Sequence, residues 1–146
     1  MTMPPLLAIA AGRRARPRKA PQPMQSELSL HIDVVNLLRR FSRPDWLWFH
    51  PANGEKRNGA RAGAKLRAMG VRPGVADLIL VGPGGRLRCL EFKRRDGRLS
   101  DEQREFAAWC AAHDVPHAIV RSIGEALATF EQWGCLRIKV KIGGAR

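Results

Sequence analysis

Three ionisable side chains lie in a stretch of sequence that is otherwise typical of a buried β-hairpin. Residues 77–92 form two apolar, β-prone runs, separated by the Gly- and Pro-rich segment 82–85. Asp77, Glu91 and Lys93 occupy positions where a buried strand should be apolar. Burying a charge without a partner is costly, so these three groups are expected to serve one another. Two carboxylates close together supply the oxygen ligands that suit Mg²⁺ or Mn²⁺.

The pairing register of the hairpin decides whether these groups meet. Glu91 and Lys93 are two residues apart and therefore point to the same face of a strand. Asp77 lies opposite Glu91 if Gly82 lies opposite Arg86, with a three-residue turn between the strands. A shift of one residue would turn Asp77 to the other face. We therefore predict this register.

The charge balance points to a polyanionic partner. The chain of 146 residues carries 26 Lys and Arg against 13 Asp and Glu, a formal net charge of +13. Nucleic acid is the commonest partner of so basic a protein, and a membrane surface is the alternative. No basic amphipathic helix and no apolar run of transmembrane length is evident, so no membrane association is expected. The three widely spaced cysteines are typical of reduced thiols in a cytoplasmic protein.

Three segments are predicted along the chain. Residues 1–24 contain no acid and several arginines among prolines, which favours a disordered basic arm. The apolar part of this arm precedes its arginines, the opposite order to a secretory signal. Residues 25–134 are predicted to form one folded domain. Residues 136–142 alternate apolar and basic side chains, so residues 135–146 are expected to form an edge strand, which could pair with a second subunit, or a tail.

The predicted domain is α/β, with a mixed central sheet covered by helices on both faces. Its elements follow the order helix, strand, helix, hairpin, helix, strand, helix, or αβαββαβα. Ser26 caps a first helix that runs to about Arg40. We expect the core face of this helix to carry the apolar residues that recur at helical spacing: Leu28, Ile32, Val35 and Leu38.

Several candidate site residues have an ordinary structural explanation as well. Glu27 can be an acid of the first turn that the helix dipole stabilises, or it can reach the metal region. His31 can be a surface histidine, or it can contact phosphate. Gln103 completes a capping box with Ser100. The helical pattern over residues 55–69 carries basic residues, which can be a solvated face or can contact phosphate.

Taken together, the motifs resemble the VRR-NUC family, a branch of the PD-(D/E)xK nuclease superfamily. The resemblance is carried by Gly70-Val-Arg-Pro-Gly-Val-Ala-Asp77, by Glu91-Phe-Lys93 and by Gly97-Arg-Leu-Ser-x-x-Gln103. His50-Pro-Ala-Asn-Gly54 and the basic helix after it also look like this family. The family usually has Pro directly before the aspartate, where this chain has Ala76. The resemblance implies a restriction-endonuclease-like core.

Carried over by position, the resemblance implies a role for each matching residue. Asp77 and Glu91 would hold Mg²⁺ or Mn²⁺ together with the Phe92 carbonyl, and Glu27 would be an accessory acid. Lys93 would be the catalytic lysine, supported by Gln103. The expected nucleic-acid-binding residues are His31, His50, Asn53, Lys56, Arg57, Arg61, Lys65, Arg72, Arg94 and Arg95.

The expected activity is metal-dependent hydrolysis of phosphodiester bonds in DNA, without an organic cofactor. The short bacterial and phage members that the chain resembles act as homodimers on branched DNA, which favours junction-like or flap substrates and a bacterial or phage-infected cytoplasm. Two alternatives stay open. The chain could be a non-catalytic nucleic-acid-binding module with a structural acid–lysine cluster, or a structural protein associated with a polyanion.

Overall fold

The order of elements is the one that the sequence predicts. The structure is a computed structural model and describes residues 25–52 and 60–139. The helices and strands are α1 (Glu27–Phe41), β1 (Leu47–Phe49), α2 (Ala60–Ala68), β2 (Leu78–Gly82), β3 (Arg86–Phe92), α3 (Asp101–Ala112), β4 (His117–Val120) and α4 (Ile123–Trp133). The α/β class and the αβαββαβα order are therefore confirmed.

The four strands form one mixed sheet in the order β1-β2-β3-β4. β1 and β3 both run antiparallel to β2, whereas β4 runs parallel to β3, after the crossover through α3. The hairpin register is the predicted one, because Gly82 pairs with Arg86 and Leu78 pairs with Leu90. A short 3₁₀ turn over Pro83–Gly85 joins its strands, and Gly84 and Gly85 both adopt positive φ.

Helices cover both faces of the sheet. On one face, α1 and α4 pack against β2, β3 and β4 through a core that includes Val34, Phe130 and Phe92. On the other face, Cys110 of α3 packs with Ile79 and Cys89. Asp77, Glu91 and Lys93 share the α3 face by strand alternation. A mixed sheet flanked by helices fits the expected restriction-endonuclease-like core.

The prediction of which face of α1 meets the core is partly wrong. The buried residues are Leu30, Val34 and Leu38, of which only Leu38 belongs to the predicted set. Leu28 and Ile32 are 70% and 51% exposed. The helix carries apolar side chains on two opposite sides, and periodicity alone cannot tell which side meets the sheet.

The two terminal segments are described only in part. The predicted arm over residues 1–24 lies outside the described residues. After α4, Leu136 forms an isolated bridge with Ser42, and no strand follows it as far as residue 139, where the described part of the chain ends. Among the described helices, none is long and apolar enough to cross a membrane.

Gly74 is predicted to be essential for the entry into the hairpin. Its φ is +78°, and a Cβ there would overlap the backbone carbonyl of Glu102 at the start of α3. Gly74→Ala should therefore lower the free energy of unfolding by about 3 kcal/mol or more in urea titrations followed by tryptophan fluorescence.

The matched control is Gly84→Ala. Gly84 has a φ of +75°, but nothing lies within 4 Å of the added Cβ. It should cost only the backbone strain of about 1 kcal/mol. Equal losses for the two variants would contradict close packing between Gly74 and α3.

Candidate active site

The two acidic residues meet where β2 begins and β3 ends. The register of the hairpin, continued by one residue beyond Leu78 and Leu90, sets Asp77 opposite Glu91. The Oδ2 atom of Asp77 accepts a hydrogen bond from the Phe92 N–H at 2.9 Å. This bond anchors one oxygen of the aspartate to β3. The pair therefore lies together at one end of the sheet.

Lys93 completes the buried cluster. Its Nζ lies 3.0 Å from Glu91 Oε1 and 4.0 Å from Glu27 Oε2. Glu91 and Lys93 are the buried charged residues of the described chain, with exposures of 1% and 8%. Glu27 Oε1 accepts the Arg94 N–H at 3.1 Å. The first turn of α1 thus places a third carboxylate beside the lysine. Of the two roles that the sequence allows for Glu27, this position fits the one near the metal region.

Gln103 performs both of the tasks that its sequence position allows. Its Oε1 accepts the Ser100 N–H at 2.9 Å, and the Ser100 hydroxyl accepts the Gln103 N–H, which completes the capping box of α3. The amide nitrogen at the other end donates to Glu91 Oε1. Because a backbone N–H must meet an oxygen, the cap fixes the amide orientation and presents the nitrogen to the carboxylate.

Burial raises the pKa of Glu91 to about 7. This value includes a smaller upward contribution from the neighbouring carboxylate of Asp77, which the hydrogen bond and charge of Lys93 oppose. Desolvation penalises the charged form, and a second carboxylate adds repulsion. The charge of Lys93 therefore offsets only part of the cost of keeping Glu91 ionised in this site.

Two histidines border the carboxylates. His50 donates through Nδ1 to the Asp77 carbonyl oxygen at 2.5 Å. His31 stacks on Phe92 with ring centroids 4.6 Å apart and meets the edge of the His50 ring at 4.8 Å. The pKa of His31 is lowered, chiefly by burial and then by His50. Both predicted histidines therefore lie at the site.

Two grooves meet at Asp77 and His50. One groove of about 360 Å³ runs toward α3 and is lined by Gly74, Ser100 and Gln103 among others. The other, of about 500 Å³, follows the exposed side of α1. Asp77 is therefore open to a ligand from two sides, while Glu91 lies buried behind it.

The predicted basic residues are less fully described. Arg94 and Arg95 are exposed directly after Lys93, and Lys65 and Arg72 are exposed in and after α2. Lys65 lines a separate cavity with Leu66 and Met69. None of these residues lines either of the two grooves at Asp77. Asn53, Lys56 and Arg57 lie outside the described residues, as does the side chain of Arg61.

Arg121 supports the site although no sequence pattern predicts it. Its guanidinium donates to the carbonyl oxygens of Arg94 at 2.5 Å and Gly97 at 2.9 Å. It therefore fixes the basic turn that follows Lys93. No motif marks this arginine, because its partners are main-chain atoms that lie more than twenty residues away in the sequence.

The apolar side of α1 beside the site was not predicted either. Leu28 and Ile32, which the sequence predicts in the core, line the larger groove together with Asp77. Val35 also lines the groove but packs partly buried against the core, as predicted. The periodicity of Leu28 and Ile32 was visible in the sequence, but the direction in which they face was not.

A carboxylate pair and a lysine at the end of a hairpin, within a mixed sheet flanked by helices, define the class of PD-(D/E)xK-type nuclease domains. Residues 44–123, more than half of the chain, match the VRR-NUC domain model. The chain belongs to the VRR-NUC family. No curated protein and no solved structure matches it. Glu27 and His31 lie outside the matched segment.

The raised pKa of Glu91 predicts a pH dependence of stability. The folded value of about 7 exceeds the ordinary 4.5, so between these values the folded state holds a proton that the unfolded chain has released. The contribution of Glu91 is therefore most favourable below pH 4.5 and is lost as the pH rises to 7. The loss should be on the order of 3 kcal/mol.

Urea unfolding in EDTA, followed by tryptophan fluorescence, measures this loss. Glu91→Gln provides the comparison, because it keeps the oxygen that accepts from Gln103 and does not titrate. The difference in stability between wild type and variant should change across that pH range. Parallel stability curves would contradict the buried, repelled carboxylate.

Proposed function

We propose that this protein is a Mg²⁺- or Mn²⁺-dependent DNA endonuclease that prefers branched or flapped substrates. The observation that carries the proposal is the convergence of Asp77, Glu91 and Lys93, with Gln103 and Glu27 as supports. Of these residues, Asp77 lines both of the open grooves. The membership of the VRR-NUC family supports the reaction class.

The donor set fits a hard divalent cation. No cluster of three or more His, Cys, Asp or Glu side chains suited to a metal occurs within the described residues. Mg²⁺ does not need such a cluster, since it commonly binds one or two carboxylates and keeps several waters. Asp77, Glu91 and the Phe92 carbonyl would hold it, with Glu27 as an accessory acid. A cation held there would supply charge stabilisation at the phosphate and a lowered pKa of bound water.

The remaining chemistry falls to the side chains themselves. Phe92 N–H and Gln103 each bind one oxygen of a carboxylate, Asp77 and Glu91 respectively, which fixes the orientation of the acids. Lys93 holds its ammonium group beside Glu91. From there it can position the attacking water or neutralise charge on the scissile phosphate, and the geometry is compatible with both roles.

The basic surface supports DNA as the substrate. Arg94 and Arg95 follow the catalytic lysine directly and are exposed. With a net charge of +13, the protein is expected to bind the DNA backbone through contacts that weaken steeply as salt is added. Symmetric incision of a junction would need two copies of this single site, so we propose a homodimer on such substrates.

Asp77→Asn should abolish cleavage without disturbing the hairpin. The amide oxygen can still accept the Phe92 N–H, whereas the negative charge that a cation needs is lost. We expect at least about a hundredfold loss of cleavage rate on labelled junction, flap and duplex DNA with Mg²⁺ or Mn²⁺. Asp33→Asn is the matched control, because Asp33 is exposed on α1 and its carboxylate bonds only to Gln25 among the described side chains.

Lys93→Met should likewise reduce the cleavage rate about a hundredfold or more, because charge stabilisation near the phosphate is lost. Binding of the same DNAs, measured by fluorescence anisotropy in EDTA, should stay within a few-fold of wild type for both variants. Undiminished cleavage by Asp77→Asn would refute the assignment. A wild-type protein that binds DNA but never cleaves it would favour the non-catalytic binding module.

A further inference from the structure

The larger groove at the site has an apolar wall that the proposed chemistry does not use. Leu28 and Ile32 are 70% and 51% exposed and line the groove, together with the partly buried Val35, which also packs against the core. Asp77 and His50 line the same groove. The apolar wall is therefore continuous with the carboxylate that the proposed reaction requires.

Another part of the groove is polar and basic. Asn36 and Arg39 line it, about 7.5 and 12 Å respectively along the helix axis from His31. Arg39 Nη1 lies 3.4 Å from Asn36 Oδ1. An amide can pair with the edge of a base, and a guanidinium can bind a phosphate. The groove thus offers an apolar wall, an edge-binding group and a phosphate-binding group in sequence.

We propose that this groove binds an unpaired nucleobase of the DNA strand next to the scissile phosphate. This inference rests on the proposed nuclease function and names what the site selects. The volume of about 500 Å³ falls within the range of about 300–1,000 Å³ that is usual for small-ligand pockets. Single-stranded bases bind to protein by laying a face on apolar or aromatic side chains while their edges form hydrogen bonds.

A fully paired duplex would gain nothing from such a wall. Its bases are covered by their stacked neighbours, and the strand presents mainly sugar and phosphate. An exposed apolar stripe beside the carboxylates therefore favours substrates whose bases are free to leave the stack. The groove supplies a physical basis for cleavage at branches, flaps or bulges without a reader of base sequence.

The test compares two substrates that share the scissile sequence, one fully paired and one with a short bulge of unpaired nucleotides. Wild type should cleave the bulged DNA faster. Ile32→Thr should reduce this preference about fivefold, because the apolar contact is lost while the helix and the carboxylates stay. Leu28→Ala should reduce it in the same direction.

Ile138→Thr is the matched control, since Ile138 is 52% exposed against 51% for Ile32 and lines a cavity that contains none of the site residues. It should keep the wild-type preference. If Ile32→Thr cleaves both substrates with the wild-type ratio, the inference fails while the nuclease assignment stands. An unchanged ratio with a changed molar mass in solution would assign the groove to a second copy of the chain instead.

A binding measurement tests the groove even if no DNA is cleaved. With 2-aminopurine at the unpaired position and EDTA present, saturating wild-type protein should change the fluorescence of the base. The change should be smaller for Ile32→Thr and unaltered for Ile138→Thr. Equal changes for all three proteins would overturn the proposal.

Discussion

The carboxylate of Glu91 is almost completely buried, and its environment determines much of the structure around it. One of its oxygens receives both the ammonium of Lys93 and the amide of Gln103, so the strand that carries it is tied to α3. Asp77 opposes it across the hairpin and repels it. Such a group is costly to keep in an apolar sheet, and its retention is explained if a cation is to be bound there.

The pairing register of β2 and β3 is what brings the two carboxylates together. β2 and β3 must pair so that Asp77 and Glu91 share a face, and a slip of one residue would place Asp77 among the core side chains of α1 and α4. The turn over Pro83–Gly85 sets this pairing by its length. Gly74 then lets the chain pass close to the start of α3, which brings Gln103 to the carboxylate.

The sequence was sufficient wherever local patterns determine the structure. The order of elements, the hairpin register and the capping box of Ser100 and Gln103 all follow from short-range signals. It was insufficient where packing decides between equivalent patterns. α1 has apolar residues on both sides, and only the position of the sheet shows that Val34 is buried while Ile32 is exposed. Arg121 acts on main-chain oxygens, for which no side-chain pattern exists.

The central claim is that Asp77 and Glu91 together form a divalent-cation site. Titration of the protein with Mn²⁺, with the free ion followed by electron paramagnetic resonance, tests this claim without any DNA or turnover. Wild type should bind Mn²⁺ in competition with Mg²⁺, and Glu91→Gln should bind it far more weakly. Equal binding by the two proteins, or the absence of binding by wild type, would contradict the account.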